Sequence, residues 1–467
     1  MENFLGILEK IQAVVWGPPT MALLIATGLY LTIRLGGIQF KHFGTACKLI
    51  FEKEEGQGDV STFGTLCATL AATIGTGSIV GVATAIRAGG PGALVWMWLS
   101  AIVGMATKYA ECLLAVKYRK VDQNGQMIGG PMYYIQEGLG KKWIWLAKIF
   151  AFFGVVTAIF GSGTFPQVNA ITSSTLQTFN LPVLWVGIVI TVLSAVVIVG
   201  GINSIAKVAE FIVPIMAFLY VGSGIAIMAL NAGKIPAAIS LIFQSAFNPR
   251  AVAGGVSGTV IAAVMSSMRA GIARGIYTNE AGLGSAPIMA AAAQTNSSVK
   301  QGLLSMTSVF FTTIVICSMT GIVIVLSGLL DTTALDGGNL SNTAFQVGMP
   351  GNFGMYAVTI GLIFFAFTSI IGWCYYGERC IVYLTNSVKS IIPYKIVYIT
   401  CVALAPYLEL KPIWAMADIT NGLMAFPNLI ALVVLTPIVV KETKLYFEGQ
   451  TSPGKQVKDA EKVALVE

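Results

Sequence analysis

The chain has 467 residues, 55% of them hydrophobic and only 10% charged, with a net charge of +7. An ordinary soluble domain carries about 25% charged residues, so this composition excludes one and describes an all-helical integral membrane protein. The single histidine, His42, excludes a multi-histidine metal site, an intramembrane Ser-His-Asp triad and a histidine proton relay.

Hydropathy reads as eleven spans in chain order. The first covers 12–34, with Gly17-Pro18-Pro19 near its outer end. Glu2, Glu9 and Lys10 before and beside it do not read as a cleaved signal. The second, 62–87, is broken at 73–78, and the third is 93–117. The fourth, 143–178, is interrupted by Gly161-Ser162-Gly163-Thr164-Phe165-Pro166. The fifth and sixth are 182–200 and 205–230, and a short surface segment, 236–247, follows. The seventh is 251–275, trailed by a Gly/Ala-rich stretch to Thr295. The last four are 303–328, 354–385, 391–408 and 412–440. The seven cysteines form no CxxC pair and read as small buried hydrophobes.

With the N-terminus outside and the C-terminus cytoplasmic, most of the 28 Lys and Arg fall on the cytoplasmic side. The basic excess is therefore topological and does not indicate nucleic acid; no obligate protein partner is evident, and the expected surroundings are lipid bilayer. Ten spans beyond the first divide into five and five. Glycine-interrupted spans open each half, at Gly75 and Gly77 and at Gly254, Gly255, Gly258, Gly271 and Gly275. Paired broken helices point to an inverted-repeat transporter. The expected parts are an extra helix and loop (1–60), two five-helix repeats (61–232 and 233–440) and a cytoplasmic tail (441–467).

The run Ala71-Ala72-Thr73-Ile74-Gly75-Thr76-Gly77-Ser78 is the centre of the reading. Glycine costs about 1 kcal/mol against alanine in a helix interior. Opened backbone at membrane depth is tolerated only where protein or a cavity surrounds it. N–H groups from Thr76 to Ser78 would face an anion, and carbonyls from Ala71 to Ile74 a hard cation. Thr73, Thr76 and Ser78 add hydroxyls. The competing reading is a small-residue packing face. In the ninth span, Thr368 and Ser369 are candidate oxygen ligands for Na⁺, or hydroxyls bonded back to their own helix.

Charged residues inside spans have local explanations. Lys108 and Glu111 pair across one turn, and Lys207 and Glu210 mark an inner helix end. Arg269, Arg274 and Glu280 flank the seventh span, as a cytoplasmic gate network or as topology anchors.

Three segments resemble the alanine or glycine:cation symporters, sodium:amino-acid carriers of the amino acid-polyamine-organocation superfamily. They are Gly89–Leu99 with Lys108-Tyr109-Ala110-Glu111 behind it, Gly129–Ile135, and Asn279–Pro287. The resemblance implies a LeuT-type core of ten helices with one additional N-terminal helix. It implies that the Thr76 and Gly77 amides bind a substrate carboxylate. It implies a sodium site from the Ala71, Ile74 and Phe365 carbonyls and the Thr368 and Ser369 hydroxyls. Ser78 stands where a leucine carrier of this fold has an asparagine that helps bind a second sodium, so one sodium site is carried over. Ser266, Ser267, Met268 and Gly271 are candidates for the substrate amine or side chain, and Phe165 and Gln167 for the pocket wall. The expected function is sodium-coupled import of alanine or glycine, with proton coupling as the alternative. A channel would need a continuous polar pore, and an enzyme a nucleophile with a base that the chain does not offer.

Overall fold

The computed structural model describes residues 2–247, 260–331, 337–408 and 410–449. Among them the regular structure is helical, apart from a hairpin pairing Lys120–Val121 with Met127–Ile128. Among the described residues eight helical stretches are long and apolar enough to cross a membrane, two of them, Leu5–Arg34 and Lys141–Phe179, interrupted by a break, and Thr62–Thr73, Val80–Gly89 and Val183–Val199 are shorter apolar helices.

The chain starts with α1 (Glu2–Val15) and α2 (Pro18–Arg34). The sequence reading had one span from 12; instead the helix breaks at Trp16-Gly17, because Pro18 and Pro19 lack amide protons for a preceding turn. Next come α3 (Thr62–Thr73), α4 (Val80–Gly89) and α5 (Ala93–Lys117). Ser61 starts α3 by accepting the Gly64 amide. Beyond the hairpin lie α6 (Ile144–Phe160), α7 (Phe165–Phe179), α8 (Val183–Val199) and α9 (Gly201–Leu230). The short α10 (Ile235–Phe247) lies across the start of α5, with Phe243 and Phe247 against Trp98 and Trp96. The second half comprises α11 (Val260–Asn279), α12 (Ala286–Ala290), α13 (Ser298–Leu326), α14 (Gly337–Gly348), α15 (Phe353–Thr385), α16 (Ile391–Leu404) and α17 (Leu410–Phe447).

Burial sorts the helices. The most apolar windows of α5 and α15 are each 83% buried, against 33% for α9 and 22% for the segment containing α16. So α5 and α15 are the central posts, and α9 and α16 present apolar side chains outward, as lipid-facing helices do. Two packed groups stand side by side. In one, α5 packs against α11 and α13, with α4 against α11; in the other, α15 packs against α6, α7 and α9. Helix α3 touches the second group through α9 and α15.

Three helix interruptions sit between or beside these groups. The first separates α3 from α4, with one 3₁₀ turn at Thr76–Ser78. The second, Gly161–Thr164, separates α6 from α7, where Pro166 sits in the first turn of α7. The third differs from the sequence reading. Gly271 and Gly275 lie inside the continuous helix α11. They leave room for α5, since a Cβ on Gly271 would collide with the Ala93 carbonyl and one on Gly275 would lie 2.6 Å from Ser100 Oγ. Gly254, Gly255 and Gly258 fall outside the described residues. The break comes at 280–285, where Glu280, Gly282 and Gly284 have φ of 56°, 89° and 82°. Left-handed backbone at three of these six positions cannot continue an α-helix.

Candidate functional site

The first break meets α15. In an unbroken helix the Ala71 and Ala72 carbonyls would accept from the Gly75 and Thr76 amides. Here the Gly75 amide donates to Thr73 O and the Thr76 amide to the Gln167 side chain. Both carbonyls are left to Ser369, whose Oγ lies 3.1 Å from Ala71 O and 3.2 Å from Ala72 O. A hydroxyl has one proton to give. Two carbonyls and a hydroxyl oxygen therefore converge with surplus acceptor capacity, and that donor set suits a hard monovalent cation. One helical step away, Thr368 Oγ1 donates to Phe365 O at 3.1 Å. Ala71, Phe365, Thr368 and Ser369 are fully buried, and Ile74 closes α3 at the same place. The approach depends on glycine: a Cβ on Gly75 would lie 2.5 Å from Ser369 Oγ and 3.0 Å from Gln167 Oε1.

The other side of the break offers amides and hydroxyls. Gln167 Oε1 accepts from the Thr76 amide at 3.1 Å, and its Nε2 donates to Ser162 O at 3.0 Å. A carboxamide oxygen thus occupies the place the sequence assigned to a carboxylate. Thr76 Oγ1 is buried and makes no hydrogen bond among the described residues. Thr73 donates to its own helix, at Thr69 O. Gly77 faces α11, where a Cβ would lie 3.0 Å from the Tyr277 ring and 3.1 Å from Thr278 Oγ1. Phe165 is buried beside Phe160, with ring centroids 6.1 Å apart.

Sequence reasoning missed several residues at the break. Thr320 of α13 donates to Ser78 O at 2.7 Å, and Ser341 of α14 donates to Ile79 O at 3.1 Å. The stretch between the expected spans 303–328 and 354–385 thus carries a helix, α14, that covers the start of α4. Tyr277 and Thr278 stand where Ser267, Met268 and Gly271 were expected. Ser266 donates to Ala88 O, and Gly89 packs on Ser267, at the far end of α4. That is about 15 Å along a ten-residue helix from the break. Met268 instead lines an apolar groove with Trp96, Leu99 and Met21.

Both sides of the break are closed by charge. Arg274 makes two hydrogen bonds to Asp418 of α17, at 2.9 and 2.8 Å, and Gln12 of α1 also donates to Asp418. The Arg274 guanidinium lies 5.5 Å from the ring centroids of both Tyr277 and Trp414. Arg269 and Arg274 therefore lie on the face that carries the N-terminal helix, not on the opposite face to which the sequence assigned them. The reason is that α11 runs on to Asn279, so both arginines fall within the helix. A cavity of about 360 Å³ lies above this plug, lined by Val80, Thr84, Pro166, Asn169 and Arg274. On the other face Arg379 pairs with Asp122 at 3.0 Å and with Glu378, which also holds Lys395. Arg119 donates to the Gln57, Ala291, Ala293 and Thr295 carbonyls, tying the lead into α3 to the exit from α12. Burial raises the Asp59 carboxyl above its ordinary range, opposed by the Met127 amide and by Arg379.

Replacing Asp418 by Asn should loosen the plug on the α1 face, because a neutral amide cannot match a partly buried bidentate guanidinium. A cysteine placed at Ser78, fully buried at the break, should then react several-fold faster with a membrane-impermeant maleimide. Unchanged labelling would contradict the gate.

A broken helix with converging main-chain groups, closed on both faces by ion pairs and set among membrane-crossing helices, is the architecture of a membrane carrier. The model of the sodium:alanine symporter family matches residues 1–461. An uncharacterized transporter of Haemophilus influenzae is 56% identical over 444 residues, covering 95% of this chain and 96% of that protein. The sodium/alanine symporter AgcS of Methanococcus maripaludis is 45% identical over 461 residues, covering 97% and 99%. A Na⁺-coupled sialic acid symporter in its substrate-bound outward-open state is a looser likeness, with TM-score 0.45 and 15% identity over 92% of this chain and 98% of that one. The chain belongs to the sodium:alanine symporter family. It is a multi-pass membrane transporter and not an enzyme.

Proposed function

We propose that this chain is a sodium-coupled symporter that imports a small neutral amino acid, alanine or glycine, by alternating access. The observation that carries the reading is the pair of surplus carbonyls, Ala71 and Ala72, gathered by Ser369. Na⁺ would bind among the Ala71, Ile74 and Phe365 carbonyls and the Thr368 and Ser369 hydroxyls. It would join α3 to α15 and so hold one packed group against the other. The amino acid carboxylate would take the Thr76 amide from Gln167 and reach the Gly77 amide, with Ser78 and the Thr76 hydroxyl beside it. Tyr277 and Thr278 would bound its side chain, leaving little room beyond a methyl group. One packed group then rocks against the other to open the opposite face.

The reading includes eleven spans, an outside N-terminus and two five-helix repeats at 61–232 and 233–440. The name of the AgcS relative supports sodium and alanine. Uptake of labelled alanine and glycine into proteoliposomes tests it. An inward sodium gradient should drive accumulation, and a proton gradient without sodium should not. Equal uptake under the proton gradient alone would overturn sodium coupling.

A further inference from the structure

The second break holds a cluster that the sodium and substrate pocket does not use. Lys108 and Glu111 of α5 are fully buried, and Glu280 is 2% exposed. Glu111 Oε1 accepts from the Gly282 amide at 3.0 Å and from Asn428 Nδ2 at 2.5 Å. Asn428 also donates to Gly282 O at 2.9 Å and accepts from the Tyr134 hydroxyl. Ser285 Oγ donates to Glu280 Oε2 at 2.6 Å. Lys108 Nζ and Glu111 Oε2 make no hydrogen bond among the described residues. The Lys108 charge acts on both carboxyls.

Two carboxylates and one ammonium leave one uncompensated negative charge in a sealed site at membrane depth, which is strongly disfavoured. The other titratable groups around it are Cys112 on α5, Tyr134 before α6, Tyr277 on α11 and Tyr376 on α15. Thiols and phenols ordinarily stay neutral at pH 7, so none supplies the missing positive charge. One proton does. Both partners of Glu111 Oε1 are N–H groups that can only donate. The Ser285 hydroxyl beside Glu280 can instead accept from a protonated acid, and the Trp373 indole also reaches Glu280. This leaves Glu280 to carry the proton.

We propose that Lys108, Glu111 and Glu280 form a one-proton binding site built into the 280–285 break, separate from the sodium pocket. With the proton bound, Glu280 is a neutral acid and the segment stays seated on α5 and α17. When the proton leaves to water on the face that opens, two carboxylates are left with the single Lys108 ammonium, and the uncompensated charge drives the segment off its seat. The proton returns when the segment closes. The proposal rests on reading the chain as a carrier whose second break moves.

The test uses the purified full-length protein. Infrared difference spectroscopy of the wild type should show the carbonyl band of a protonated carboxylic acid at neutral pH, and Glu280→Gln should lack it. Addition of L-alanine with Na⁺ should release roughly one proton per protein to a pH dye in weak buffer, and the variant should release none. The amide of Glu280→Gln imitates the protonated form, so this variant should also flatten the pH dependence of alanine counterflow. Absence of the band from the wild type overturns the site without any variant. Alanine binding, read by tryptophan fluorescence in the same sample, separates the two failures. Binding without proton release overturns the proposal. Absence of binding overturns the alanine reading and leaves the infrared band to decide the proton site.

Discussion

Replacing Thr368 and Ser369 together by alanine should abolish sodium stimulation of alanine uptake. The two hydroxyls lie side by side on α15, and Ser369 alone gathers the Ala71 and Ala72 carbonyls. Each hydrogen bond or ligand contact to a charged partner is worth about 1.5–3 kcal/mol. Losing two weakens the apparent sodium affinity by about a hundredfold or more, since 1.4 kcal/mol is tenfold. Alanine is the best helix former, so α15 keeps its fold. The measurement is uptake against sodium concentration at fixed alanine, with surface expression as the control for folding. Sodium stimulation at the wild-type level would remove these hydroxyls from the coupling site.

Gly75→Ala should be nearly as damaging through one methyl group. The backbone at Gly75 is extended, with φ −120° and ψ −151°, so no conformational strain is involved. The obstacle is space: the added Cβ would lie 2.5 Å from Ser369 Oγ and 3.0 Å from Gln167 Oε1. Both are buried, and neither can move without leaving the group it holds. Ser369 would lose Ala71 and Ala72, and Gln167 would lose the Thr76 amide. Overpacking a tight interior costs about 1–3 kcal/mol, which the bulk of the fold absorbs and the site does not. Sodium-dependent alanine binding should fall more than tenfold while the thermal transition moves by a few degrees. Gly6→Ala, where a Cβ meets nothing within 4 Å, is the matched control.

The first break was legible because its cause is local. Two glycines round a threonine inside an apolar run have no use in a lipid-facing helix, and at Gly75 the close approach of Ser369 supplies the reason. The interruption at Gly161–Pro166 was legible for the same kind of reason. The second break was misplaced because the same residue type serves two ends. Gly271 and Gly275 buy proximity between α11 and α5 without bending the backbone. The actual break depends on Glu280 in a left-handed conformation and on Glu111 and Asn428 from distant parts of the chain. No local pattern carries that information. The plug of Arg274 on Asp418 was hidden likewise, since 144 residues separate the partners. The polar helix α14 was invisible to hydropathy, and with it the role of Ser341 at the Ile79 carbonyl.

Reciprocal binding of sodium and alanine to the purified protein reaches the central claim most directly. A cation and a zwitterion held by opposite ends of one helix break must strengthen each other, and by the same factor in both directions. Calorimetric titration of alanine at several sodium concentrations, and of sodium at several alanine concentrations, gives the two factors. Equal factors well above one are the predicted result. Alanine affinity that stays constant from zero to saturating sodium would contradict the account.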